Sequence, residues 1–196
     1  MHEPVTVRGA EEIAALPADT RAIRGEGITD DALIAVSRLE KLEEVHLDGC
    51  FELGNPALER LAELPALSVL YMSAHAATDK GLAALSGATR LREFGLDAKI
   101  MGTGFRHLAG LPALAELHLP GWTALTRDGA AAIAALPALE RLYFYGAPAL
   151  TDERLAALGG ATGLKKLVVF NCKRVTDAGI DALAEMLPDC ELGRDL

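Results

Sequence analysis

The sequence predicts a single α/β domain built as a solenoid of about seven strand–loop–helix units. Two observations support this prediction. First, six segments carry apolar residues at their first, fourth and sixth positions, and the sixth positions fall at 47, 72, 96, 119, 144 and 169. Second, a further apolar residue follows each segment by 12 to 14 residues, at 61, 85, 108, 133, 158 and 183. Such regular intervals are typical of proteins in which each unit buries its apolar face against its neighbours.

Each of the six segments predicts a short strand. In Val45-His46-Leu47, as in the other five, apolar and variable residues alternate at the end of the segment. An alternation with a period of two places every second side chain on the same face of a strand. We therefore expect short strands with one buried face, and stacked units that share one continuous core.

The second set of apolar positions predicts a helix in each unit. Residues 81–85, 129–133 and 179–183 carry apolar side chains spaced for one buried side. A Thr-Asp pair precedes several of these helices, at Thr29-Asp30, Thr78-Asp79, Thr151-Asp152 and Thr176-Asp177. A threonine oxygen can accept a hydrogen bond from an N–H of the first turn, and an aspartate suits the positive end of the helix dipole. We therefore expect each pair to cap the helix that follows it.

The repeat pattern covers nearly the whole chain. Val36 lies one interval before Leu61, which indicates a degraded copy at the N-terminal end. The single domain, 1–196, is therefore divided into an N-terminal cap with a degraded first strand (1–24), the repeats (25–186) and a C-terminal cap (187–196).

Composition excludes several classes of protein. The net charge of −9 and the pI near 5.0 argue against a nucleic-acid binder, which needs clustered Lys and Arg. No apolar run approaches the length of a membrane span, and the N-terminus does not resemble a secretory signal. Three scattered cysteines do not form a disulfide framework. We expect a cytoplasmic protein, and export as an effector through a non-classical signal stays open.

The repeat resembles the leucine-rich repeat family. The copy from Leu164 to Cys172, followed by Val175-Thr-Asp-Ala-Gly-Ile180, is similar to the cysteine-containing, F-box-associated subclass, as is the copy from Leu42 to Cys50. The resemblance implies a right-handed horseshoe arc with parallel strands on the concave face and short helices on the convex face. The subclass's cysteine position holds, in turn, Cys50, His75, Lys99, Trp122, Ala147 and Cys172. No F-box-like docking segment is recognisable in the first 12 residues, so the ligase-adaptor role of many members is not expected here.

The residues that carry chemistry are too dispersed to predict catalysis. His46 and His118 occupy equivalent positions three units apart, or roughly 15 Å at the spacing of neighbouring strands, which excludes a shared metal. Cys50 and Cys172 are five units apart and are expected to be buried loop thiols, while Cys190 falls in a terminal cap strand with no base placed beside it. Gly102-Thr-Gly-Phe is a weak match to a phosphate loop and is expected to replace one Thr-Asp helix start. The sequence therefore predicts no enzyme, no metal site and no cofactor.

The exposed face of the strands is the candidate binding surface. All three tyrosines of the chain lie at its outward positions, and tyrosine is enriched in protein interfaces. Acidic side chains precede basic ones along the face, so we expect a charge gradient. The candidate binding residues are Glu44, His46, Asp48, Tyr71, Glu93, Asp97, Glu116, His118, Arg141, Tyr143, Tyr145, Lys166 and Phe170.

These residues favour a protein-interaction module that binds a protein or peptide on its concave face. The acidic positions suggest a partner with a basic patch, and neither nucleic acid nor membrane is expected. Two alternatives stay open: an inhibitor or immunity-type protein that caps a basic enzyme or toxin, and a self-associating scaffold. A monomer is favoured.

Overall fold

The structure is a computed structural model that describes residues 3–121 and 124–194. Its strands form one sheet in which all neighbours are parallel and follow chain order, so the predicted fold class is confirmed. The nine strands of this described part, β1 to β9, are Val5–Val7, Ala22–Gly25, Glu44–Leu47, Val69–Ser73, Glu93–Asp97, Glu116–Pro120, Arg141–Tyr145, Lys166–Phe170 and Glu191–Arg194.

The register of the sheet follows the repeat interval. Val45 pairs with Leu70, Leu70 with Phe94, and Phe94 with Leu117, so one apolar side chain from each unit stands beside the next. These four side chains are fully buried between the sheet and the helices. Each unit closes the apolar face of the unit before it, which is why the core runs continuously along the stack.

The connections between strands contain short helices of two kinds. The α-helices, α1 to α5, are Ala10–Ala15, Asn55–Ala62, Arg127–Ala134, Asp152–Ala156 and Asp177–Met186. The tighter 3-10 helices are Ala32–Arg38, Gly81–Gly87, Thr103–Leu108 and Ala157–Gly160. Apolar residues three apart fit both helix types over so short a length, so the sequence pattern located the helices without distinguishing between them.

The predicted threonine caps are present in the C-terminal half only. The hydroxyls of Thr151 and Thr176 accept hydrogen bonds from backbone N–H groups in the first turns of α4 and α5, as predicted. Thr126, which no Thr-Asp pair marked, caps α3 in the same way. Thr29 and Thr78 precede 3-10 helices that receive no side-chain cap, so the prediction for these two residues was wrong.

The aspartates of the Thr-Asp pairs act mainly on the following unit. Asp30 Oδ1 accepts from the backbone N–H groups of Gly54 and Ala57, both at 3.1 Å, and thereby caps α2 from the previous unit. Asp79 accepts from Met101 N at 2.8 Å and Gly104 N at 2.7 Å. The side chains that reach into the next unit in this way, the forward acceptors, are Asp30, Asn55, Asp79 and Asp152.

Close contact between units also explains the glycine that follows the Thr-Asp pair. A Cβ on Gly179 would lie 2.2 Å from Asp152 Oδ1, and one on Gly81 would lie 2.2 Å from Asn55 Oδ1. Gly104 and Gly129 occupy the same repeat position in units that lack the Thr-Asp pair, and there the obstacle is a backbone carbonyl, that of Asp79 or Met101. Glycine leaves room for the preceding unit at each of these positions.

Both ends of the sheet extend beyond the predicted repeats. The predicted N-terminal cap contains β1, α1 and most of β2, and the guanidinium of Arg38 donates to the carbonyls of Ile13, Ala14 and Leu16 at the end of α1. Helices of the described residues are all too short or too polar to cross a membrane.

Candidate functional site

The strands place twelve of the thirteen predicted binding residues on one side of the molecule, here called the sheet face, and the thirteenth, Asp48, directly follows β3. Strand pairing joins Glu44, Val69, Glu93, Glu116, Arg141 and Lys166 into one column. It joins His46, Tyr71, Gly95, His118, Tyr143 and Val168 into a second column two residues further along each strand. None of the thirteen is buried; Asp48, Tyr145 and Phe170 are exposed and the others are half-buried.

Aromatic and imidazole rings form a row across the sheet face. His46 stacks on Tyr71 with ring centroids 5.5 Å apart, and His118 stacks on Tyr143 at 4.4 Å. Tyr143 then stacks on Tyr145 at 6.0 Å, and Tyr145 contacts Phe170 at 6.5 Å with tilted rings. We call these six residues the ring row. Its C-terminal end is the most accessible part, because 37% of Tyr145 and 40% of Phe170 are exposed.

Gly95 allows the ring row to cross β5 without a side chain from that strand. A Cβ at position 95 would lie 2.2 Å from Tyr71 Cδ1, so the tyrosine ring occupies the space above the glycine. From there Tyr71 reaches His118, two strands away, with ring centroids 5.2 Å apart. Gly95 leaves a gap in the second column, and the ring of Tyr71 fills it.

Tyr71 is held over β5 by a carboxylate. Its hydroxyl donates a hydrogen bond to Glu93 Oε1. Burial and this hydrogen bond to an anion both raise the pKa of Tyr71 above its ordinary value, so the phenol stays protonated and continues to donate.

Glu116 connects the ring row to a cation. His118 Nε2 lies 2.8 Å from Glu116 Oε1, and Arg141 Nε donates to Glu116 Oε2. Burial acts to raise the pKa of Glu116, but the hydrogen bonds from Arg141 and His118 outweigh it and hold the pKa below its usual range. The carboxylate therefore remains charged and fixes the positions of both neighbours.

Charges on the sheet face form more than the predicted acidic block and basic block. Arg24 lies beside His46 in the second column, ahead of the acidic strands. At the other end, Lys166 Nζ lies 3.2 Å from the carboxylate of Glu191, which follows it in the same column. Arg24 and Glu191 were missed because they belong to β2 and β9, which lie outside the six aligned segments. Extending the sheet columns by one interval would have found them.

A cluster of three potential ligands lies near the middle of the sheet face. One ligand atom each from Glu93, Glu116 and His118 lies within 4.8 Å of the other two. The cluster was not predicted, because only the pair His46 and His118 was compared with the geometry of a metal site, and Glu93 was not combined with Glu116 across strands. The signal was present in the first column, where these two residues are adjacent.

A second ring contact lies at the edge of the sheet face. Phe51 packs on His75 with centroids 4.8 Å apart, and His75 Nε2 lies 3.6 Å from Asp97 Oδ2. Trp122, which shares the repeat position of His75, lies outside the described residues, as does His2.

Cys50 and Cys172 are buried, as expected, and each thiol makes a hydrogen bond to a backbone carbonyl. Cys50 Sγ donates to the carbonyl of Gly25 at 3.5 Å, and Cys172 Sγ donates to that of Phe170 at 3.4 Å. Burial raises the pKa of the Cys50 thiol, which disfavours the reactive thiolate. Cys190 is half-buried and immediately precedes β9.

Comparison with known proteins identifies the fold. No family model and no curated protein matches the sequence. Among solved structures, the chain is similar to internalin C2 from Listeria monocytogenes, with a TM-score of 0.63 and 20% identity over 97% of this chain and 76% of that one. Internalin C2 is a leucine-rich repeat protein. The parallel sheet, the short helices and this likeness together show that the chain folds as a leucine-rich-repeat solenoid.

Proposed function

We propose that the sheet face binds a protein or peptide partner and that the chain is a non-enzymatic interaction module. The observation that supports this most strongly is the ring row, whose exposed end is formed by Tyr145 and Phe170 beside Tyr143. Large rings that are already packed against one another lose little conformational freedom on binding, and such residues dominate the energy of many interfaces.

The charges next to the ring row favour a partner with basic groups. Carboxylates on the N-terminal side of Tyr143 come from Glu44 in β3, Asp48 directly after β3, and Glu93 in β5. Arg141 is already paired with Glu116, so its charge is partly offset. We expect the acidic strands to speed association with a basic surface and the tyrosines to supply most of the affinity. The expected cytoplasmic location and monomeric state are part of the same proposal.

We also propose that the repeats belong to the cysteine-containing subclass. Cys50 and Cys172 occupy the same repeat position, both are buried, and both thiols donate to backbone carbonyls near the ends of strands. Thr176 and Gly179 at the start of α5 match the helix start of that subclass.

Affinity capture from native cells, followed by mass spectrometry, tests the proposed binding face. The test variant is Tyr143→Ala with Tyr145→Ala, and the control is Ile34→Ala, which truncates a 53% exposed side chain on a helix. We expect a partner that the wild type and the control retain and that the double variant loses by at least tenfold, the loss typical of one or two interface hot spots. Equal retention by both variants, with unfolding midpoints unchanged, would contradict the proposal.

A further inference from the structure

We propose that Glu93, Glu116 and His118 bind one divalent transition-metal ion on the sheet face. The first support is geometric. His118 Nε2 and Glu116 Oε1 are 2.8 Å apart, and a Glu93 oxygen completes a group of ligand atoms within 4.8 Å. Two ligands that each lie about 2 Å from a zinc ion at tetrahedral or right angles are roughly 3 Å apart. The imidazole and the carboxylate therefore already have nearly the separation that a shared ion requires. The ion would replace the proton between Nε2 and Oε1, and a neutral His118 would then carry its proton on Nδ1.

The two carboxylates are also oriented by side chains outside the cluster. Tyr71 donates to Glu93 Oε1, and Arg141 donates to Glu116 Oε2, so each carboxylate keeps a second oxygen for the ion. Donors of this kind position metal ligands and hold them in place before the ion arrives. Tyr71 is itself fixed above Gly95, so the arrangement rests on packing as well as on charge.

The donor set indicates the class of ion. One imidazole nitrogen with two carboxylate oxygens suits Zn²⁺ and its first-row neighbours, whereas Mg²⁺ and Ca²⁺ prefer oxygen alone. Within the described residues, the ion pairs of this cluster provide one guanidinium, that of Arg141 on Glu116, for two carboxylates, which leaves one negative charge uncompensated when His118 is neutral. Three protein ligands would leave a coordination position open to solvent or to a group from another molecule.

The chain contains a matched pair that lacks the third ligand. His46 and Glu44 have the same spacing along β3 as His118 and Glu116 have along β6, and their closest nitrogen and oxygen are 4.0 Å apart. The neighbour of Glu44 in the first column is Val69, while the neighbour of Glu116 is Glu93. A site that needs two carboxylates and an imidazole should therefore form at β6 and not at β3.

Calorimetric titration of the full chain with ZnCl₂ tests the proposal, which does not depend on the proposed partner. We expect one ion per chain. His118→Asn and Glu93→Gln should each weaken the affinity more than tenfold, and Tyr71→Phe, which removes only an outer donor, should weaken it by about tenfold. His46→Asn should leave the zinc affinity unchanged.

Thermal unfolding provides a second readout that identifies variants with a damaged fold. Zinc should raise the unfolding midpoint of the wild type and of His46→Asn, because an ion that binds only the folded state stabilises it, and should not raise that of His118→Asn. Circular dichroism without zinc should be the same for all variants. The proposal is overturned if the wild type binds no zinc at millimolar concentration, or if His46→Asn lowers the affinity as much as His118→Asn, which would indicate adventitious binding to surface histidines.

Discussion

The ring of Tyr71 lies directly above Gly95, with its Cδ1 atom 2.2 Å from the place a Cβ at position 95 would occupy. This relationship lets Tyr71 touch His118 across an intervening strand and donate to Glu93. Because Gly95 has no side chain, Tyr71 can connect the N-terminal and C-terminal parts of the ring row.

Replacement of Gly95 by alanine should displace Tyr71 and break the ring row. The methyl group gains some strand propensity, but two ring contacts and a hydrogen bond are lost, so we expect a net destabilisation of roughly 1 kcal/mol in urea unfolding. Gly193→Ala is the control, because Gly193 lies in the same column and its Cβ would meet Val168 at an ordinary 3.6 Å. Equal effects of the two substitutions would show that Tyr71 does not depend on Gly95.

Removal of a forward acceptor should weaken the junction between units. Asp30→Ala leaves the N–H groups of Gly54 and Ala57 without their carboxylate, and we expect a loss of roughly 1 to 2 kcal/mol in the free energy of unfolding. Asp31→Ala is the matched control, since Asp31 is exposed and makes no cap to its helix. If Asp31→Ala were as costly in the same urea titration, the loss would reflect charge rather than capping.

Arg127 offers the opposite test, a gain of stability. It stands 25 residues before the forward acceptor Asp152 and is the first residue of α3. Arg127→Asp should provide an acceptor for the next unit and a favourable charge at the start of its own helix, together worth about 1 kcal/mol. Arg127→Ala, which removes the arginine without adding an acceptor, should give no such gain in the thermal unfolding midpoint measured on the two variants side by side.

Glu116 should contribute stability at neutral pH and lose it in acid. The pKa of Glu116 is lowered in the folded state, so folding favours the ionised form; this contribution is complete above the unfolded pKa, about 4.3, and disappears as the pH falls through the folded value. Glu116→Gln should therefore cost roughly 1 kcal/mol at pH 7 and progressively less below about pH 4. Urea unfolding at several pH values measures this difference, with Glu59→Gln on α2 as the control. A gap between wild type and Glu116→Gln that is constant with pH would contradict the assigned role of the carboxylate.

The sequence was sufficient to predict the six strands β3 to β8 and their columns because one interval governs both. The buried residues Val45, Leu70 and Phe94 pair as the 25- and 24-residue spacings require. Since side chains alternate along a strand, the same spacing also places Glu44, Val69 and Glu93 together.

Three-dimensional details between units could not be read from that interval. The column pattern does not indicate that Tyr71 leans over β5, because the direction of a long side chain depends on the free space beside it. The Thr-Asp pattern does not indicate that Asp30 caps α2 rather than its own helix, because that choice depends on the offset between neighbouring units. Glu93, Glu116 and His118 were each predicted to face outward, but their convergence required both the register and the orientation of the side chains.

The forward acceptors make the stack directional. Where a forward acceptor binds N–H groups at a helix start, that acceptor belongs to the preceding unit, as Asp30 does for α2. Removal of whole units from the N-terminal side would therefore strip the new first helix of its acceptor, whereas removal from the C-terminal side would leave only a carboxylate in water, which is well solvated. Shortened chains that keep the N-terminal units should consequently retain more stability per unit than chains of equal length that keep the C-terminal ones.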